Sequence, residues 1–146
     1  MELFRTMAIS GSALTAERLR LDVIANNLAN VNTTRTAEGG PYRRQEVVFA
    51  PRGEQVQWMY PGIESDPPFR GRGVRVVGTP GEPAAFKRVY DRGHPDADAT
   101  GYVSMPNVNV VTEMVDLMAA TRAYEANVAA IGAAKAMATS ALDIGR

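Results

Sequence analysis

Asn26 to Thr34 reads NNLANVNTT and stands at the end of one long helical pattern, while a second long helical pattern closes the chain. All nine prolines lie between the two, from Pro41 to Pro106, as do ten of the thirteen glycines. Proline breaks a helix interior and glycine weakens one, so the chain has helical ends and a broken-up, β-like middle. The expected fold is α+β: long N- and C-terminal helices forming a coiled-coil-like pair, with a small central β domain. Residues 1–36 are expected to form the first helix and its Asn-rich end. Residues 37–106 would form the β domain with its Gly/Pro-rich loops, and residues 107–146 the helix that completes the helical core.

Both ends carry heptad-like stripes. Met7, Leu14, Leu21 and Leu28 recur every seven residues, with Ile24 and Val31 at the alternate spacing. Such a 3.5-residue period marks a seam between helices. Glu17 interrupts it, and Ser10-Gly11-Ser12 predicts a bend or a frayed start. On the outer surface Glu17 is expected to meet Arg20, and Arg18 to meet Asp22. In the closing segment Val110, Met114, Leu117, Thr121, Tyr124, Val128 and Ile131 alternate spacings of four and three, continuing past Lys135 to Ala138 and Leu142. Asn109 is the expected N-cap, and Glu113 and Asp116 suit the positive end of the helix dipole. Eleven alanines between Leu117 and Ala141 permit close packing on more than one face. A helix pair with such faces leaves small residues in water and predicts assembly with other chains. The seam expected to join the helices comprises Leu14, Leu21, Ile24, Leu28 and Val31 against Val110, Met114, Leu117, Tyr124, Val128 and Ile131.

The middle reads as short strands: Arg44–Phe49, Gln55–Tyr60, Val74–Val77 and Ala85–Tyr90, rich in β-branched or aromatic residues. Gly39-Gly40-Pro41, Pro61-Gly62, Pro67-Pro68 and Pro80-Gly81 punctuate them. Trp58 is the expected anchor of the small core. Arg43, Arg44, Arg70, Arg72 and Arg75 suggest a basic face.

No catalytic constellation emerges. His94 is the only histidine and has no Ser or Cys nucleophile signature beside it. Asp96-Ala97-Asp98-Ala99-Thr100-Gly101 resembles the start of a calcium loop, but Thr100 and Asn107 stand where stronger ligands belong. Gly71-Arg72-Gly73 lacks the third glycine and the following helix of a nucleotide loop. The expected catalytic, cofactor and metal sites are therefore none. Sixteen basic residues balance sixteen acidic ones, so no segment has the basic excess of a nucleic-acid binder. The absence of cysteine excludes disulfides and thiolate metal sites. No stretch is long and apolar enough to span a membrane, and the opening residues lack the pattern of a cleaved signal peptide.

Ile24 to Phe49, reading IANNLANVNTTRTAEGGPYRRQEVVF, resembles the N-terminal signature of bacterial flagellar rod and hook axial proteins. Its core is Asn26, Asn27, Leu28, Ala29 and Asn30. Many members follow with a Gly-Phe-Lys turn; this chain has Thr33, Thr34 and Arg35, then Gly39, Gly40, Pro41, Tyr42, Arg43 and Arg44, as the proximal rod members do. His94 to Val128 is similar to the closing region of the same group. The resemblance implies a non-enzymatic structural subunit of the basal-body rod. Such a subunit would leave the cytoplasm unfolded by type III export without a cleaved leader and assemble as a hollow shaft across the periplasm. Its implied partners are copies of itself, other rod proteins, the rod-to-membrane-ring adaptor and the export apparatus. Another axial subunit is the competing reading within the family. From another class, the alternative is a monomeric protein-binding or calcium-dependent β module with helical arms.

Overall fold

A computed structural model describes residues 2–52 and 71–144. Helix α1 spans Glu2–Ala29 and helix α2 spans Val110–Ile144. Between them lie strands β1 (Val48–Pro51), β2 (Val74–Gly78), β3 (Lys87–Tyr90) and β4 (Tyr102–Met105). The fold is α+β. Strands β1 and β2 form one antiparallel pair and β3 and β4 another.

Both helix boundaries that face the middle are set by asparagine. After Ala29 the chain tightens, with the Asn30 N–H donating to the Asn26 carbonyl at 3.1 Å and the Val31 N–H to that of Leu28 at 3.4 Å. At the start of α2, Asn109 Oδ1 accepts the Val111 N–H at 3.0 Å, satisfying one of the orphan donors of a helix start. Asn109 is the N-cap that the sequence suggests.

The helices run antiparallel, since Asn27 meets Glu113 and the earlier Arg20 meets the later Asp116. Their shared core is small: Ala16, Val23 and Ile24 from α1, with Ala120 and Ala134 from α2. Leu14, Leu21, Leu28, Val31, Leu117, Tyr124 and Ile131 are half-buried around it. The expected seam on α2 needs a correction. Val110, Met114 and Val128 are 39%, 53% and 47% exposed and do not join the core. The inner line passes instead through Glu113, Leu117, Ala120, Tyr124, Asn127, Ile131 and Ala134. It shares the seven-residue series of Leu117, but its other members sit one residue earlier. Small side chains let the helices approach closely, and a hydrophobic ranking passes over alanine, asparagine and glutamate.

Strands β1 and β3 are shorter than the runs that suggest them, whereas β2 extends one residue past Val74–Val77. Only the end of Arg44–Phe49 is regular strand, because Arg44, Gln45 and Glu46 give their N–H groups to Asn107, Asn27 and Pro80. An isolated bridge joins Gln45 to Gly81. Strand β4 is an addition to the sequence reading, hidden between a turn and Pro106. Gln55–Tyr60, Trp58 and Arg70 lie outside the described residues. Of the suggested basic face, Arg43, Arg72 and Arg75 are exposed but Arg44 is turned inward.

Ser10-Gly11-Ser12 lies inside α1, which runs unbroken from Glu2 to Ala29, and so is not a frayed start. Ser12 Oγ donates to the Ile9 carbonyl at 2.7 Å and accepts the Val74 N–H at 3.0 Å, tying β2 to the helix. That approach requires Gly73, whose φ is +94° and whose added Cβ would collide with Ser12 Oγ. Gly73→Ala combines a left-handed backbone with that collision and is expected to cost about 1–3 kcal/mol, read as a lower urea midpoint with an unchanged m-value.

Candidate functional site

Among the described residues, the side-chain amide with the most hydrogen bonds is that of Asn27, at the last turn of α1 and 1% exposed. Its Oδ1 accepts the Gln45 N–H and the Tyr42 hydroxyl, each at 2.9 Å. Its Nδ2 donates to the Gln45 carbonyl at 2.8 Å and to Glu113 Oε2 at 3.1 Å. The amide thus pairs with the Gln45 backbone as a neighbouring strand would, while reaching both tyrosine and carboxylate. A primary amide has two donor hydrogens and two acceptor lone pairs, and here all four are used. Aspartate lacks the donors and leucine lacks both.

Glu113, in the first turn of α2, is fully buried. Arg44 Nε donates to its Oε1 at 2.6 Å. The Arg44 fork also reaches Glu82 at 3.3 Å and Asp116 at 3.4 Å, and Asp116 lies 3.9 Å from Arg20 on α1. Burial alone lowers the Arg44 pKa, but the bonds and charges of Glu113 and Glu82 outweigh it, leaving it above its ordinary value. Burial first, and the Glu113 charge second, raise the Tyr42 hydroxyl. Glu113 is therefore more than a dipole complement: it is the meeting point of α1, the segment after it, and α2. A carboxylate so deeply buried is tolerable only when paired and hydrogen-bonded.

The loop from Thr33 to Tyr42 delivers these groups. The Tyr42 N–H donates to the Thr33 carbonyl at 2.9 Å, closing the loop at its base. At its tip Gly39 and Gly40 take φ of +86° and +82°, a conformation that suits glycine. Asn26 Nδ2 donates to the Tyr42 hydroxyl at 3.3 Å. Asn30 Nδ2 donates to both the Asn26 carbonyl and Asn26 Oδ1 at 2.9 Å, and Thr33 Oγ1 donates to Asn30 Oδ1 at 3.1 Å. Thr34 Oγ1 donates to Asp96 at 2.8 Å, with Arg35 4.0 Å from the same carboxylate. Arg43 extends outward over the Phe86 ring at 4.6 Å, Leu28 and Pro41 are half-buried, and Ala29 is exposed.

The carboxylates of the calcium-like stretch diverge. Asp96 faces Thr34 and Arg35, while Asp98 Oδ1 accepts from the Thr100 hydroxyl at 2.6 Å and the Tyr102 N–H at 3.0 Å. Those bonds, with the Arg88 charge, hold the Asp98 carboxyl down at about 2. His94 Nδ1 accepts the Asp96 N–H at 3.1 Å and so serves the same turn. Among the described residues no group of three or more His, Asp or Glu could hold a metal ion, and no helix is long and apolar enough to cross a membrane.

Two family models match the two arms of this site. The flagella basal body rod protein model covers residues 7–35, and the flagellar basal body rod FlgEFG protein C-terminal model covers residues 99–144. The flagellar basal-body rod protein FlgC of Borreliella burgdorferi is 48% identical, across 99% of this chain and 98% of its own length. FlgC of Bacillus subtilis is 44% identical over the whole of both chains, and that of Escherichia coli O6:H1 is 41% identical over the same extent. This chain belongs to the FlgC family. A FlgC-family chain is a structural subunit of the flagellar rod, and its place is the basal body. The family models reach Asn27 and Glu113 but not Arg44, which lies between them. The sequence singles out all three residues, yet only contact in space shows that they form one unit.

Removing Arg44 leaves the fully buried Glu113 carboxylate without its cation. Arg44→Ala is expected to cost about 3–5 kcal/mol of unfolding free energy, and Arg44→Ala with Glu113→Ala less than the two single losses added, in a urea double-mutant cycle. Asn27→Asp is expected to be far more damaging than Asn26→Asp, because only the former sets a second carboxylate against buried Glu113. For Asp98 the folded pKa is depressed, so its stabilisation is present above the unfolded value near 4. It is lost as pH falls through about 2. Amide shifts of Thr100 and Tyr102 should therefore stay constant from about pH 7 to 5 and move only in acid; a midpoint near the unfolded value would contradict this.

Proposed function

We propose that the chain builds the rod wall through its terminal helices, which pack side by side with those of neighbouring subunits to enclose a hollow shaft. One observation carries the reading. The outer face of α2 exposes Val111 at 71%, Val115 at 54% and Met118 at 55%, although the inner core is little more than alanine, valine and isoleucine. Each large apolar side chain left in water forgoes roughly 1.5–3 kcal/mol, which a neighbouring helix would recover. Val110, Met114 and Val128, turned away from α1, belong to this outer surface, while Leu14, Leu21, Ile24, Leu28, Val31, Leu117, Tyr124 and Ile131 set the distance between the helices. Copies of itself and other rod proteins are the neighbours of this surface.

Family membership supports the rest of the reading: export by the flagellar type III apparatus without a cleaved leader, a periplasmic position for the rod, and contact with the rod-to-membrane-ring adaptor. The middle strands would lie outside the helical wall. Val128→Asp tests the helical part, since Val128 is exposed in the single chain. The variant is expected to change subunit stability by less than about 0.5 kcal/mol, as exposed substitutions do, yet to abolish motility. Leu21→Asp should both destabilise the subunit and abolish motility. Normal swimming of a Val128→Asp strain would refute the assignment of this face to assembly.

A further inference from the structure

Six exposed charges on the helices have no ion-pair partner within the described residues, and four of them fall in two opposite-sign sets within one helical turn: Arg18 and Asp22 on α1, Arg122 and Glu125 on α2. Arg18 and Asp22 are one turn apart and suited to pair, yet they do not, whereas Glu17 and Arg20 lie 3.9 Å apart. The sign order on α1 is basic then acidic, and on α2 it is also basic then acidic. Laid antiparallel, the two faces bring each base opposite an acid.

We propose that the outer face of α1 in one copy receives the outer face of α2 from a second copy, with Arg18 against Glu125 and Asp22 against Arg122. The proposal deepens the assembly reading above and rests on it. The same register extends along both helices. It places Ala25 opposite Met118 and Ala29 opposite Val115, so these two exposed large side chains each meet a small one. It also places Gly11 opposite Gly132. A glycine in a helix interior costs about 1 kcal/mol relative to alanine, and neither glycine has a neighbour within 4 Å of its Cβ position in the single chain. Close approach of another helix gives both a role.

The register also has a direction. Within the chain Asn27 faces Glu113, whereas the proposed contact sets residue 27 level with Asp116 and Leu117 of the next copy. The offset is about one turn, roughly 5 Å along the axis at 1.5 Å per residue. The contact joins different faces, and an axial offset turns such a contact into a helical array rather than a closed ring.

The chain has no cysteine of its own, so an A25C/M118C double variant reports this contact directly. In basal bodies isolated from cells carrying that variant as their only copy, mild oxidation is expected to give a ladder of covalent dimers, trimers and larger species. Each single variant should give none, because no like pair of positions meets. Arg18→Glu is expected to reduce incorporation, and Arg18→Glu with Glu125→Arg to restore it, with helix content unchanged. Incorporated double-cysteine protein without a ladder would overturn the register while leaving the assembly reading intact. Basal bodies devoid of the parent chain would overturn both.

Discussion

The structure depends on the four-way hydrogen bonding of one amide beside one ion pair whose carboxylate is buried. Asn27 closes α1 onto the Gln45 backbone, and Glu113 closes α2 onto Arg44. The Asn27–Glu113 bond joins the two. None of these groups is tolerable alone: an unpaired buried carboxylate costs several kcal/mol, and a buried amide short of partners costs its desolvation. The clasp therefore forms as a unit or not at all. The elements it joins are far apart in sequence, so their docking becomes one cooperative event.

That arrangement suits a chain with little core of its own. Buried Ser10, Ser12, Asn27 and Glu113 stand beside a handful of buried alanines, valines and an isoleucine. Polar contacts specify where the pieces meet, but they contribute less net stability than apolar burial does. Directional bonds fix the geometry of the subunit, while much of the apolar area stays on the outside of α2. The subunit thus has bonds that fix where its pieces meet and an α2 face that leaves large apolar side chains exposed.

Much of this was legible in the sequence. Proline and glycine placement marks the middle, heptad spacing marks both helices, Asn109 marks a cap, and the asparagine cluster marks the end of α1. The rest was hidden for physical reasons. Val110, Met114 and Val128 look like seam because they are large and apolar, but in a helix pair this close the seam belongs to Ala120, Asn127 and Ala134. Glu113 looks like a solvated first-turn acid because its partner Arg44 is distant in sequence. Ser12 looks like a helix weakness, since only the arrival of Val74 reveals its hydroxyl as an acceptor. In each case the deciding partner comes from another element.

The central claim is that the clasp opens only when the helix pair opens, and native-state hydrogen exchange at the Gln45 amide measures this most directly. Gln45 sits in an irregular segment, bonded by a side chain rather than by a ladder. The account predicts that its amide exchanges with the same opening free energy as those of Ile24 and Ala120 in the helical core. Rapid exchange at Gln45 while those helical amides stay protected would contradict it, because the segment would then open without the helices.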